Sequence, residues 1–287
     1  MDYRAFFAYI FSTLETRDVN EKKAEAAWIF QHFTGKSNLE IPILDGFFTD
    51  IASVDKVIKE RNNGIPLAYI LGYKSFYGRD FQLNKACLIP RCDSEILIEN
   101  MLMKVEKTLS EIVIFDFCCG SGCLGITFAA QYILDNPSCK ICLYFIDISD
   151  AALEMSLKNA EKILKNQVIC KNIPMDIMND KWDFDRKCDV FISNPPYIPS
   201  IDIDKLDNTV KDFEPKIALD GGADGLKFYR KIAENIGKVV KSDTLCGIEF
   251  GIMQEVMIKE IFQSHKLAFY KDLSHIMRCA TFKIDEY

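Results

Sequence analysis

The spacing of apolar residues changes period along the chain. Over the first 62 residues it is helical. Phe6, Phe7, Ile10, Phe11 and Leu14 recur at three- and four-residue intervals. Ala24, Ala27, Trp28 and Phe33 continue the pattern after Asp18-Val19-Asn20. Phe47, Phe48, Ile51, Val54, Val57 and Ile58 predict a third helix, closed by Asn62-Asn63-Gly64. Between Tyr73 and Leu88 the period shortens. The stretch SFYGRDFQLN sets aromatic and apolar residues on either side of Gly78-Arg79-Asp80, which predicts two short strands and a turn. Asp93 or Ser94 is then placed to cap a helix starting near Glu95. After Ser110 strand and helix patterns alternate. Strands are expected at 112–117, 141–147, 167–171, 188–193, 244–250, 267–272 and 277–283, and helices at 122–134, 149–165, 223–240 and 252–264. Such alternation predicts an α/β fold whose mostly parallel sheet is covered on both faces. The last two strands, with no helix between them, are expected to pair antiparallel. The chain thus reads as a helical domain over 1–72, a β-hairpin connector over 73–92 and an α/β domain over 93–287.

Composition narrows the classes. A chain of 287 residues with 49% hydrophobic and 27% charged positions has the balance of a soluble globular protein of one large or two smaller domains. Its net charge of −7 argues against a protein that grips nucleic acid by neutralising phosphates. The helical segment carries slightly more acidic than basic residues, so it is no basic arm. Eleven cysteines, odd in number and scattered, do not form a secreted disulfide framework; they read as reduced thiols in a cytoplasmic protein. Cys139-Lys140-Ile141-Cys142 has no second ligand pair with it, so no metal site is expected. The first 18 residues lack an apolar core and small-residue cleavage site of signal-peptide type. Residues 112–134 hold a single charge, Asp116, but Gly120, Gly122 and Gly125 favour strand, loop and helix over a membrane span.

Two strand ends carry candidate chemistry. IVIFDFCCGSGCLGITFAA is a strand, a glycine turn and a helix start, and Gly120 and Gly122 permit close backbone approach to a ligand. LYFIDIS ends a strand in Asp147, whose carboxylate suits the two hydroxyls of a ribose and also suits the start of the helix that follows. DFCCGSG is not the G-x-G-x-x-G of dinucleotide sites, and Asp116 before the loop would repel a pyrophosphate. It would favour a cationic ligand with an amino group, as in S-adenosylmethionine. Further on, Val190-Phe191-Ile192 runs into Ser193-Asn194-Pro195-Pro196-Tyr197. Two prolines stiffen the chain as it leaves the strand, which fits either a surface turn or a rigid grip on a planar polar group.

In this order, the glycine loop, Asp147 and SNPPY make the chain resemble the class I S-adenosylmethionine-dependent methyltransferases that modify planar amino groups. PLAYILGYKSFYGRDFQLNKACLIPRCDSE, FEPKIALDGGADGLKFYRKI and GIEFG narrow the resemblance to the HemK/PrmC family of peptide-chain release factor N5-glutamine methyltransferases. The likeness spans nearly all of residues 64–287 and agrees in helical type before that. It implies a Rossmann-like sheet with a small helical bundle that recognises a protein partner, here a release factor, with no nucleic acid or membrane partner. It implies that the Asn194 side-chain oxygen and the Pro195 carbonyl take the two N–H bonds of the glutamine amide, with Pro196 keeping the segment rigid and Tyr197 packing on the amide. Cys118, Cys119, Gly120, Ser121 and Gly122 would wrap the methionine part of S-adenosylmethionine, Asp147 the ribose, and Asp176 and Ile177 the adenine, with Asn194 also bordering the cofactor. Pro90 and Arg91 match the family's IPRP start. Glu214 and Gly221-Gly222 read either as the rim of the substrate entrance or as a loop-to-helix turn. Cys92, Cys118 and His275 depart from the pattern, the last two standing where glycine is usual; His275 reads as a turn residue, not a base. An adenine-N6 methyltransferase acting on nucleic acid would use the same N-P-P-Y grip, and a binding module without turnover would keep the same cofactor loop.

Overall fold

A computed structural model describes residues 1–107 and 109–284, so Thr108 and residues 285–287 of the expected catalytic domain lie outside the described residues. The chain forms two compact units, one of residues 1–72 with 208–213 and one of the remainder.

The first unit holds α1 (Tyr3–Thr13), α2 (Val19–Thr34), α3 (Ile51–Asn62) and α4 (Leu67–Leu71). Aspartates start the first three: Asp2, Asp18 and Asp50 accept from the backbone N–H of Ala5, Glu21 and Ser53. Phe6, Ile10, Ile29, Phe30, Val54 and Ile58 form the buried core. The helix expected from Phe47 begins four residues later, at Ile51, because Asp50 caps it there. Phe47 instead pairs with Asp2 in an isolated bridge, and Phe48 stacks on Phe6 at 4.1 Å.

The second unit opens with the antiparallel pair β1 (Tyr73–Phe76) and β2 (Arg79–Gln82). Then follow α5 (Glu95–Lys104), β3 (Glu111–Phe117), α6 (Cys123–Asp135), β4 (Lys140–Asp147), α7 (Asp150–Leu164), β5 (Ile169–Pro174) and β6 (Cys188–Ser193). The short α8 (Asn208–Lys211) belongs to the first unit; α9 (Lys227–Val239), β7 (Val240–Glu249), α10 (Glu255–Ile261), β8 (Ala268–Lys271) and β9 (Met277–Lys283) complete the second. The sheet order is β5-β4-β3-β6-β7-β9-β8, parallel from β5 to β7, with β9 and β8 antiparallel. Alternate residues of β3 feed opposite cores: Ile112 and Ile114 one face, Val113, Phe115 and Phe117 the other. That is why a central parallel strand reads as one unbroken apolar run. The sheet grows from β3 in both directions, to β4 on one side and β6 on the other, so a crevice lies beyond the ends of β3 and β6.

Several expected boundaries shift for local reasons. Neither Asp93 nor Ser94 caps α5. A 3-10 turn over Cys92–Ser94 already puts Ser94 at helical φ and ψ, whereas a capping residue is extended, and Asp93 pairs with Arg278 at 3.0 Å. The helix expected from 223 starts at Lys227, after Gly225 at φ +77° and an Asp224 side chain that accepts from the Leu226 N–H. α10 likewise waits for Met253, at φ +65°, to turn the chain. No helix among the described residues is long and apolar enough to cross a membrane.

Candidate active site

The loop after β3 turns through three left-handed residues: Cys118 at φ +58°, Gly120 at +54° and Gly122 at +76°. At Gly122 a side chain is excluded twice over, since a Cβ would also lie 2.9 Å from Ile126 and Phe145. Asp147 ties this loop to the next strand end. Its Oδ2 accepts from Gly120 N–H and its Oδ1 from Ser149 N–H, both at 3.0 Å. Burial pushes its carboxyl up, and those backbone donors work the other way. Each oxygen keeps lone pairs for a further donor. The helix α7 is capped by Ser149, not Asp147, whose carboxylate is left to the loop and the cavity.

Asp176 folds the chain after β5 into a tight turn, accepting from Met178 N–H at 2.9 Å and from the Asn179 amide at 2.7 Å. Trp182 donates to the Ile177 carbonyl at 3.0 Å and so fixes that residue.

At the end of β6, Ser193 Oγ donates to the Phe117 carbonyl, locking β6 to β3. Beyond it the SNPPY segment is held from behind. Gln254 Nε2 donates to the Tyr197 carbonyl at 2.9 Å while its Oε1 accepts from Gly251 N–H. Ile198 exchanges backbone bonds with Leu219 and Gly221. Gly225 packs so closely that a Cβ would sit 2.3 Å from the Tyr197 oxygen. The segment is thus a built element of the site and not a free surface turn.

These strand ends enclose one cavity of about 470 Å³. Cys118, Cys119, Gly120, Ser121, Asp147, Asp176, Ile177, Asn194 and Pro196 line it; Gly122, Pro195 and Tyr197 do not. Pro90 and Arg91 line it as well. Asn194 contributes an Oδ1 that is buried and has no hydrogen-bond donor. The expected electrostatic role of Asp116 does not hold. Asp116 is buried outside this lining, its Oδ2 accepts from Gly125 N–H at 2.9 Å, and burial pushes its carboxyl up to about 8, which favours the uncharged form and takes it away from any ligand in the cavity. Glu214 is buried in an ion pair with Arg91 and accepts from the Ile89 N–H. Cys139 and Cys142 fall in opposite core clusters.

Two family models match the chain: the PrmC N-terminal domain over residues 6–72 and the Methyltransferase small domain over 92–211. Among curated relatives, a release factor glutamine methyltransferase of Mycoplasma mycoides is 34% identical over 281 residues, 94% of this chain and 95% of that protein. One from Bacillus anthracis is 34% identical, over 74% of this chain and 72% of its own, and one from Clostridium acetobutylicum 37%, over 72% and 70%. The chain belongs to the release factor glutamine methyltransferase family.

Membership of this methyltransferase family puts the cavity at the switch point in its expected setting, and it also exposes what sequence reasoning passed over. Glu249, 2% exposed at the end of β7, lies beside Asn194, each following the paired residues Ile248 and Ser193. A lone acid in the apolar run Cys246-Gly247-Ile248-Glu249-Phe250 was the signal that could have found it. Gln254, which holds the Tyr197 carbonyl, left no comparable signal, since an isolated glutamine after a glycine turn is ordinary.

Proposed function

We propose that this protein transfers a methyl group from S-adenosylmethionine to the side-chain amide nitrogen of the glutamine in the Gly-Gly-Gln motif of peptide-chain release factors. The observation that carries the reading is the Asn194 Oδ1: a buried acceptor without a donor, on a rigid segment, in the wall of the cavity that Asp147 shares. Such an orphan costs stability unless a ligand's N–H completes it.

The residues present fit the cofactor. The cavity volume lies in the range of ligand pockets, roughly 300–1,000 Å³. Asp147 takes the ribose hydroxyls on its remaining lone pairs, the Cys118–Gly122 loop borders the methionine part, and Asp176 and Ile177 border the adenine. Bound there, S-adenosylmethionine supplies an electrophilic methyl group on a sulfonium. Asn194 Oδ1 and the Pro195 carbonyl accept the two amide N–H bonds of the glutamine and turn its nitrogen lone pair toward that group. An amide nitrogen is a poor nucleophile, so orientation matters; positioning supplies up to roughly 7–11 kcal/mol in favourable cases. Pro196 keeps the grip stiff. In this reading Tyr197, which does not line the cavity, packs against the glutamine amide where the substrate meets the segment. The proton leaves after transfer, from a nitrogen made acidic by its new bond.

Residues 1–72 serve in this reading to recognise the partner protein, supported by the exposed Leu39, Ile43 and Phe47. Residues 73–92 connect them to the catalytic domain, and the eleven free thiols accord with a cytoplasmic setting. The test offers labelled S-adenosylmethionine with a full-length release factor, its Gln→Ala variant in Gly-Gly-Gln, and unmethylated DNA. Label on the release factor alone, lost in the variant, is expected. Label on DNA would mean that N-P-P-Y grips a base. No label, with cofactor bound, would leave a binding module.

A further inference from the structure

An amide that grips must face the right way round, and nothing in Asn194 itself decides this. Its oxygen and its NH₂ have nearly the same shape, so the neighbours choose. Strands β6 and β7 pair in parallel with Ser193 opposite Ile248, which brings Asn194 beside Glu249 where both strands end. The Ser94 and Asn194 side chains lie near enough to the Glu249 carboxylate to favour its charged form, as donors do, and one carboxylate oxygen, Oε2, has no partner. Asn194 can donate only through its nitrogen. The orphan Oδ1 is therefore the other end of the same amide.

We propose that Glu249, as a carboxylate, is a positioning residue that sets which way the Asn194 amide faces: it takes the Asn194 NH₂ and leaves Oδ1 for the substrate's N–H. The inference rests on the glutamine reading of the site. A carboxylate accepts only, so it repels Oδ1 and holds NH₂. A protonated Glu249 has an O–H that can donate to Oδ1, which takes away the acceptor and lets the amide turn over.

The surroundings keep the two forms close in energy. Burial pushes the Glu249 carboxyl up to about 7, while Ser94, Asn194 and the charge of Arg278 pull it back. Arg278, on β9, is itself shared with Asp93 at 3.0 Å and Asp272 at 2.8 Å. The charge of Asp93 also acts on Glu249 and pushes its carboxyl further up. The remaining ionisable groups that face it are Tyr197, Tyr229, Cys123 and Cys279, and each has its own ionisation pushed up by burial. None of them becomes charged where Glu249 does. The charged form is the one that orients, so turnover rises with pH as Glu249 ionises.

The experiment measures kcat, KM and cofactor affinity with a release factor from about pH 5.5 to about 8.5, for the wild type and Glu249→Gln. The wild-type kcat is expected to rise through a midpoint near 7. Glutamine can both donate and accept, so the variant loses the bias. Its kcat is expected to fall roughly 100-fold, the cost of a misplaced reacting group, with cofactor affinity kept and the acid limb gone. A variant that keeps wild-type kcat, or keeps the acid limb, overturns the role of Glu249 and leaves the glutamine reading standing. If circular dichroism shows the variant unfolded, the wild-type profile decides: a flat kcat across the range overturns the proposal. Absence of any transfer in the wild type overturns the glutamine reading and this one with it.

Discussion

Asn194 concentrates the account into one side chain. Replacing it with alanine removes an acceptor and leaves the cofactor wall in place. Asn194→Ala should lower turnover by about 100-fold or more, the scale of losing one preorganised polar contact, with S-adenosylmethionine affinity changed little. Labelled methyl transfer and calorimetric titration read the two effects separately, and near-normal turnover would sink the role. His275 gives the opposite case. It sits exposed in the turn between β8 and β9 at φ +63°, a conformation that costs a residue with a Cβ roughly 1–2 kcal/mol. His275→Gly should therefore gain about 0.5–1 kcal/mol, seen as a higher urea midpoint, with turnover intact; lost turnover would show that the imidazole takes part in the chemistry. Residues such as Asn194 and Asp147 were legible because strand ends and prolines marked them. Glu249 and Gln254 were not assigned, because the neighbours that matter lie 55 and 57 positions away along the chain; the lone acid in its apolar run marked Glu249 as unusual without naming that neighbour, and Gln254 left no mark at all.

At the scale of elements, the link between β3 and α6 depends on a glycine inside the helix. A Cβ on Gly125 would lie 2.8 Å from Asp116 Oδ2 and 2.9 Å from Leu143 Cδ1. Alanine would favour the helix by about 1 kcal/mol, but overpacking costs typically 1–3 kcal/mol. Gly125→Ala should thus destabilise by about 1–2 kcal/mol in denaturant unfolding; a gain would show that the helix can move off the strand. The alternating strands and helices were readable because each central strand is apolar on both faces. Their ends were less so. β7 begins at Val240, in a polar stretch that no strand pattern marks, because it follows α9 directly and pairs across an irregular register with β6. β5 runs on to Pro174 because an edge strand tolerates a proline.

At the scale of the molecule, burying acids makes stability depend on pH. The Asp116 carboxyl is raised from 3.8 to about 8 in the fold. Its contribution is full below the unfolded value near 3.8 and is lost as pH rises through about 8, since the unfolded chain ionises it and the fold does not. Urea midpoints should fall between pH 5 and pH 8, and Asp116→Asn, which keeps the shape without the proton, should flatten that fall. An unchanged slope would mean that Asp116 ionises freely in place. The acidic total charge and the separate helical unit could be read from composition and periodicity alone, but the two-sided growth of the sheet, and hence the crevice, emerges only from strand order.

The most direct measurement is the site of the methyl group on a release factor after incubation with the protein and S-adenosylmethionine, read by fragmentation mass spectrometry of its peptides. One added methyl on the side-chain amide of the Gly-Gly-Gln glutamine, absent when Asn194→Ala replaces the wild type, is the predicted result. A methyl group elsewhere on the release factor, or none there and one on DNA adenine, would contradict the account.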